Sequence, residues 1–173
     1  MRVRRTLAAL LAPPFLLSAC GDNSSVADPP VSTHTTSSAP TSPPPARETP
    51  EHFIRRWAAA EKRMENTGKT RPYLAISKGC QSCQQLASDV STFYAAGGFV
   101  KWGGWKIVSI KHYSEKGTHH SYAMRARANS TLYKESASGP RKTLPGGLAT
   151  DLVTIVRTTN SWRVVGFTKL GSE

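Results

Sequence analysis

The chain has 173 residues, with 23 basic against 11 acidic side chains for a formal net charge of +12, and only three cysteines. That length leaves room for one folded domain beside any leader or linker. In a cytosolic protein such a charge would point first to nucleic acid, but the first twenty residues argue that this chain leaves the cytosol, which removes that partner from the expectations.

Arg2, Arg4 and Arg5 form a basic head, and Leu7 to Leu17 a short apolar run broken by Pro13 and Pro14. The run is shorter than the ~20 apolar residues a membrane span needs and fits the apolar region of an export signal. Its end, Leu17-Ser18-Ala19-Cys20, resembles the bacterial lipobox, in which the cysteine thiol is acylated and becomes the new N-terminus. Residues 1–19 are therefore expected to be a lipoprotein signal peptide and Cys20 the lipidation site. Residues 21–47 carry six prolines and ten Ser/Thr, with Val26 and Val31 the only large apolar side chains. Such a stretch cannot bury enough surface to offset its ordering entropy, so residues 20–47 read as a lipidated cysteine followed by a disordered linker. Residues 48–173, which carry a net charge of +10, are the single folded domain. With Cys20 acylated, Cys80 and Cys83 remain, and an even remainder outside the cytosol suggests a disulfide.

A helix is expected from Thr49-Pro50-Glu51, with Thr49 as cap, Pro50 at the first helical position and Glu51 at the positive helix end. Phe53, Ile54, Trp57, Ala58, Ala60 and Met64 recur at helical spacing as its inward face, while Arg55, Arg56, Lys62 and Arg63 mostly face elsewhere. Asn66-Thr67-Gly68 stops it, and a short helical turn spans Pro72 to Ile76. A further helix, capped by Ser77, keeps Cys83, Leu86, Ala87, Val90, Phe93 and Tyr94 in a three-four rhythm as far as Gly97-Gly98.

Beyond the glycines the pattern alternates. Strands are expected over Trp105–Tyr113, over the stretch containing His120, Tyr122, Met124, Ala126 and Ala128 on one face, over Leu148–Thr158 and over Trp162–Leu170. A tight turn at Thr159-Asn160-Ser161 joins the last two. Ser138-Gly139-Pro140 and Leu144-Pro145-Gly146-Gly147 bracket a flexible loop. Helices first and strands afterwards predict an α+β domain, its N-terminal helices packed on one face of a curved antiparallel sheet.

Helices followed by a meandering sheet are similar to the nuclear-transport-factor-2-like, or cystatin-like, α+β cone. More narrowly, Phe53-Ile54-Arg55-Arg56-Trp57, Thr67-Gly68, Cys80-Gln81-Ser82-Cys83 and Tyr94-Ala95-Ala96-Gly97-Gly98 through Gly104-Trp105 resemble an actinobacterial lipoprotein family with a domain of unknown function. The resemblance, lipobox and spacer included, covers nearly the whole domain. It implies fold and location and carries no activity.

Three chemistries are weighed on the residues. Cys80-x-x-Cys83 can be a structural bond or a thiol–disulfide exchange site, but an exchange motif should follow a buried strand, and Arg71 to Lys78 is not one. A zinc site needs further ligands; His119 and His120 point to opposite faces of a strand and His112 lies alone, so no metal and no cofactor is expected. A cavity enzyme would use Asp89, close to the apolar stripe of its helix, or Asp151, on a strand face with Val153 and Ile155. Lys101-Trp102-Gly103-Gly104-Trp105-Lys106 suggests stacking on a sugar or anionic polymer, with Trp105 in the core and Trp102 exposed. Trp102, Lys101, Tyr122 and Asp89 are thus the candidate ligand contacts. The expected product is a non-catalytic binding domain at the outer face of the cytoplasmic membrane, held there by lipid, with an envelope protein or an anionic wall polymer as partner.

Overall fold

The computed structural model describes Arg47–Ser172. Helix α1 spans Pro50–Thr67 and begins as the sequence predicts: the Thr49 hydroxyl accepts from the His52 amide at 3.3 Å, and Pro50 opens the first turn. It ends at Gly68, whose φ of 69° lets its amide donate to the Met64 carbonyl at 2.9 Å. A β-carbon there would also lie 2.6 Å from the Tyr94 ring, so both conformation and space require glycine. The buried face of α1 is Phe53, Ile54, Trp57, Ala58, Glu61, Met64 and Glu65, and its two carboxylates are absent from the sequence-based face.

Helix α2 is a single turn, Arg71–Ala75, and α3 spans Gln81–Ala95. The cap of α3 is Cys80 rather than Ser77: the Cys80 sulfur accepts from the Cys83 amide at 3.2 Å. Ser77 is instead fully buried, where its hydroxyl accepts from the Trp57 indole N–H at 3.1 Å. A hydroxyl among apolar side chains is stable only with such a partner, so the indole holds it away from the helix end.

Seven strands follow: β1 Phe99–Trp102, β2 Trp105–Lys116, β3 His119–Ala128, β4 Thr131–Lys134, β5 Lys142–Leu144, β6 Gly147–Arg157 and β7 Trp162–Ser172. They form a β1-β4-β5 sheet and a β2-β3-β6-β7 sheet, antiparallel throughout. Register runs unbroken from one sheet to the other. Trp102 opposes Thr131 and, across two intervening residues on each strand, Trp105 opposes Ala128. Thr131 opposes Leu144 and Ala128 opposes Gly147 in the same way. Three long strands therefore bend together at Gly103-Gly104, Asn129-Ser130 and Pro145-Gly146. A β-carbon on Gly146 would lie 2.3 Å from the Ala128 carbonyl oxygen, so the bend closes only with glycine there.

Strand β5 corrects the expected loop, and β1 and β4 are short strands that the alternation did not mark. Lys142–Leu144, inside that loop, is wholly exposed, so no alternation marks it as a strand; its pairing to β4 holds it. The turn before β7 is as expected, with the Thr158 amide donating to the Ser161 carbonyl at 2.9 Å.

The core lies between the helices and the inner face of the larger sheet. Phe53, Ile54, Trp57, Met64 and Tyr73 from the helical side meet Met124, Val153, Ile155 and Val164. Trp57 packs on Tyr73 and Phe167, with ring centroids 6.3 and 5.1 Å apart. Full burial of a large apolar side chain stabilises by roughly 2–3 kcal/mol.

Candidate functional site

Glu61 and Glu65 stand one helical turn apart on the inward face of α1, and Asp151 enters the same interior from β6. Asp151 shares its face with Val153 and Ile155, as the alternation predicts, and the three are all buried. The Trp105 indole donates to Glu61 Oε1 at 3.4 Å, while Glu61 Oε2 and Asp151 Oδ2 are buried without a partner. Burial, reinforced by the Glu65 charge and more weakly by Asp151, raises the Glu61 carboxyl to about 8. Burial alone raises Glu65 to about 7. Asp151 is raised by burial against the opposing influence of Lys169, which sits directly opposite it on β7. Burial and the nearby Glu61 also push the Tyr73 phenol up. Like-charged carboxyls in low dielectric hold protons rather than ionise together.

Access decides what this cluster can do. A cleft of about 410 Å³ opens at the sheet bend between Trp105, Pro145, Gly146 and Leu148, with Asp151 and Lys169 in its lining. Glu61 does not line it; it lies behind Trp105. The cleft lining contains no histidine, cysteine or hydroxyl side chain, and Lys169 is the titratable side chain that shares it with Asp151. Among the described residues no group of three or more His, Cys, Asp or Glu side chains is placed to hold a metal.

The residues singled out by sequence separate. Cys80 and Cys83 are disulfide-bonded with Cα atoms 5.3 Å apart and are both buried. Burial keeps the bond from the in-line thiolate attack that exchange requires. Asp89 does not face the interior: it is exposed and accepts from the Gln85 amide at 2.9 Å. Trp105 packs against the core as expected, half-buried, but Trp102 is not exposed. Trp102 is only 7% exposed, with its ring edge-on to Trp105 at 5.4 Å and its N–H donating to the Asn129 carbonyl at 3.2 Å. The glycine bend between the two tryptophans rotates Trp102 under the corner. Lys101 is exposed, its amine 5.5 Å from the Phe99 ring. Tyr122 is half-buried, edge-on to His112 at 5.5 Å, far along β3 from the bend. The structure thus brings Trp105 and Asp151 to one cleft and leaves Lys101, Tyr122 and Asp89 apart. Cys20 lies outside the described residues.

Glu61 and Glu65 escaped the sequence reading because charged residues on a helix are assigned to its outer face by default. The signal was nevertheless present. Trp57, Glu61 and Glu65 follow one another at intervals of four, which places both carboxylates on the stripe that Trp57 defines.

No family model and no curated protein matches this chain, so the narrower likeness to actinobacterial lipoproteins rests on the quoted residues alone. Among solved structures, the chain is similar to the intermembrane space region of chloroplast protein ARC6, with a TM-score of 0.51, 10% identity, and coverage of 70% of this chain and 94% of that one. At that identity the likeness is one of fold. Looser matches include an uncharacterized protein with a cystatin-like fold from Caulobacter vibrioides, at TM-score 0.40 and 12% identity over 68% of this chain and 87% of that one. Another is an NTF2-like protein with a cystatin-like fold from Novosphingobium aromaticivorans, at 0.41 and 12% over 69% and 79%. The α+β arrangement described above, helices against a bent antiparallel sheet, is the one the order of elements predicts.

Proposed function

We propose that this chain is a lipid-anchored, non-catalytic domain of the cell envelope that binds an anionic wall polymer. One observation carries the binding reading. Lys106 of β2 and Arg127 of β3 stand directly opposite each other, both exposed, on the outer face of the larger sheet. Like charges in that relation destabilise a sheet, and among the described residues neither has a carboxylate to relieve it. The two carboxylates of the described strands of this sheet turn away: Asp151 is in the core, and Glu115 lies 3.3 Å from the His120 ring. Lys111 extends the basic stripe beside Ala123. Arg125 shares the face and already has a partner. A sheet that retains an unrelieved pair of cations is suited to a polyanion, whose charges would supply the missing relief.

The alternative of a small cavity enzyme would use Asp151, which lines the cleft at the sheet bend together with Lys169. Envelope location is supported by the lipobox-like Leu17-Ser18-Ala19-Cys20 and by the Cys80–Cys83 bond, which suits an oxidising compartment. Among the described residues no helix is long and apolar enough to cross a membrane, so attachment through lipid on Cys20 would account for membrane association. Two experiments test the reading. Cells fed a labelled fatty acid should incorporate label into the chain and lose it in Cys20→Ala; unlabelled wild type overturns the anchor. Co-sedimentation with purified phosphate-bearing wall polymer should be salt-sensitive and weakened in Lys106→Glu. Equal sedimentation of both proteins overturns the binding face.

A further inference from the structure

Between α3 and the smaller sheet lies a groove of about 240 Å³ that the anionic-polymer reading does not use. Leu86, Val90 and Phe93 form one wall, and Val100, Tyr133 and Leu144 the other. The Phe93 and Tyr133 rings are stacked with centroids 5.9 Å apart, which makes the lining rigid as well as apolar. Three carboxylates line the same groove, Glu65, Asp89 and Glu135, and no basic side chain does. On a chain of net charge +12 that is a local reversal of sign.

The three acids are not equivalent. Asp89 accepts from Gln85, and Glu135 pairs with Lys142 at 2.8 Å, so both rim carboxylates are engaged. Glu65 is only 9% exposed, and among the described residues its carboxyl has no hydrogen-bond or ion-pair partner. Its backbone carbonyl accepts from the Tyr94 hydroxyl at 3.1 Å, which fixes the helix end without satisfying the side chain. A carboxyl on the wall of an apolar groove, largely withdrawn from water and with no basic side chain in the lining, favours a cation that enters to meet it.

We infer that this groove is a binding site for a small organic cation, an alkyl- or arylalkyl-ammonium, whose apolar body lies between Phe93 and Leu144 and whose ammonium group pairs with Glu65. Size supports the class: the groove falls below the ~300 Å³ at which ordinary ligand pockets begin, so it takes a compact monocation rather than a nucleotide or sugar chain. Chemistry disfavours the opposite charge, because an anion would meet acidic side chains and no basic one in the lining. Burial holds the Glu65 carboxyl up at about 7, and a bound ammonium supplies the countercharge that lost solvation withdrew. This site is independent of the outer sheet face and of the lipid anchor.

The test uses the chain from residue 20, unlipidated through Cys20→Ser and isotope-labelled for amide NMR, titrated with phenethylammonium. The neutral 2-phenylethanol and the anionic 3-phenylpropionate serve as matched probes. Phenethylammonium should shift the amides of Val90, Phe93, Val100 and Tyr133, with 2-phenylethanol and 3-phenylpropionate at least about tenfold weaker. Glu65→Gln, which keeps the side chain's shape, should weaken phenethylammonium by at least about tenfold. Leu144→Lys, on the exposed rim, should abolish binding by placing a competing cation at the mouth, and it carries the test should Glu65→Gln fail to fold. Equal binding of 2-phenylethanol and phenethylammonium overturns the inference. So does an affinity in both variants within roughly twofold of wild type, shifts confined to the Asp151 cleft, or no shifts at all.

Discussion

Replacing Lys106 with glutamate should make the domain more stable while removing much of its affinity for polyanions, a pairing of effects that ordinary surface substitutions do not give. Register places Lys106 opposite Arg127, where side-chain stems begin roughly 5 Å apart. The charged ends can splay to roughly 8 Å, at which separation two cations in water repel by about 0.5 kcal/mol. Salt at physiological strength, with a screening length of ~8 Å, reduces this to a few tenths of a kcal/mol. Reversing one sign turns repulsion into attraction of similar size, so the total gain is about 0.5 kcal/mol, within the range measured for cross-strand charge pairs. For a domain of this size that is a rise in Tm of about 2–3 °C. It should grow at low salt and fade at ~1 M salt, where screening is nearly complete. Calorimetry across a salt series reads the stability, and co-sedimentation with wall polymer reads the affinity. The reasoning is refuted if Lys106→Glu lowers Tm at low salt, or if it raises Tm and leaves polymer binding intact. A Lys106→Gln control separates lost repulsion from gained attraction and should give about half the gain.

Three further predictions follow from the interior. Glu61 is raised from 4.5 to about 8, so the folded chain holds a proton that the unfolded chain releases. That stability is fully present below about pH 4.5 and is lost as pH rises towards 8, by a total on the order of 5 kcal/mol. Glu61→Gln should flatten the fall in Tm over this range, and an unchanged slope would show that Glu61 ionises freely. Trp102→Ala should cost roughly 3–5 kcal/mol in urea unfolding; near-neutral stability would restore Trp102 to the role of an exposed stacking residue. The joint change of Cys80 and Cys83 to serine should cost about 2 kcal/mol. In the wild type, thiol reagents should reduce the bond only as denaturant opens the fold, and rapid exchange under native conditions would reassign it to redox chemistry.

Legibility in the sequence followed the length of each pattern. Helix α1 was readable at both ends because Thr49, Pro50 and Gly68 are local signals whose physics needs no tertiary partner. The long strands β2, β3, β6 and β7 announced themselves by alternation, and Asp151 was placed on the correct face by its spacing from Val153 and Ile155. Strands β1, β4 and β5 have only three or four residues each, too few for a period to register. They exist because longer strands extend through a bend and recruit them. The unexpected burial of Trp102 has the same origin. Whether Trp102 or Trp105 is covered depends on the corner made by Gly103-Gly104 against Asn129 and Gly146, and that corner involves three distant segments. The candidate sites were least legible because their acids sit where pattern rules expect alanine or leucine.

Those exceptions cluster for a physical reason. The inner sheet face is committed to Met124, Val153, Ile155 and Val164, all at 0% exposure, so the stability of the domain is concentrated on one side of the sheet. A concentrated core can offset several unfavourable arrangements elsewhere; Glu61 lies enclosed behind Trp105, but three others adjoin accessible space. Asp151 lies beside the bend cleft, Glu65 beside the α3 groove, and the Lys106–Arg127 pair on the open face. Random drift would scatter such costs without regard to access, since substitutions away from special features change stability little. Their coincidence with the two clefts and the unpaired sheet face is what a domain kept for binding would retain. Measured together, Glu65→Gln and Lys106→Glu should therefore each weaken only its own ligand, phenethylammonium or wall polymer. Their stability effects should add, because the two positions share no partner. Cross-effects, with either substitution weakening both ligands, would mean that the two surfaces are one site and that the separation argued from the sheet's two faces is wrong.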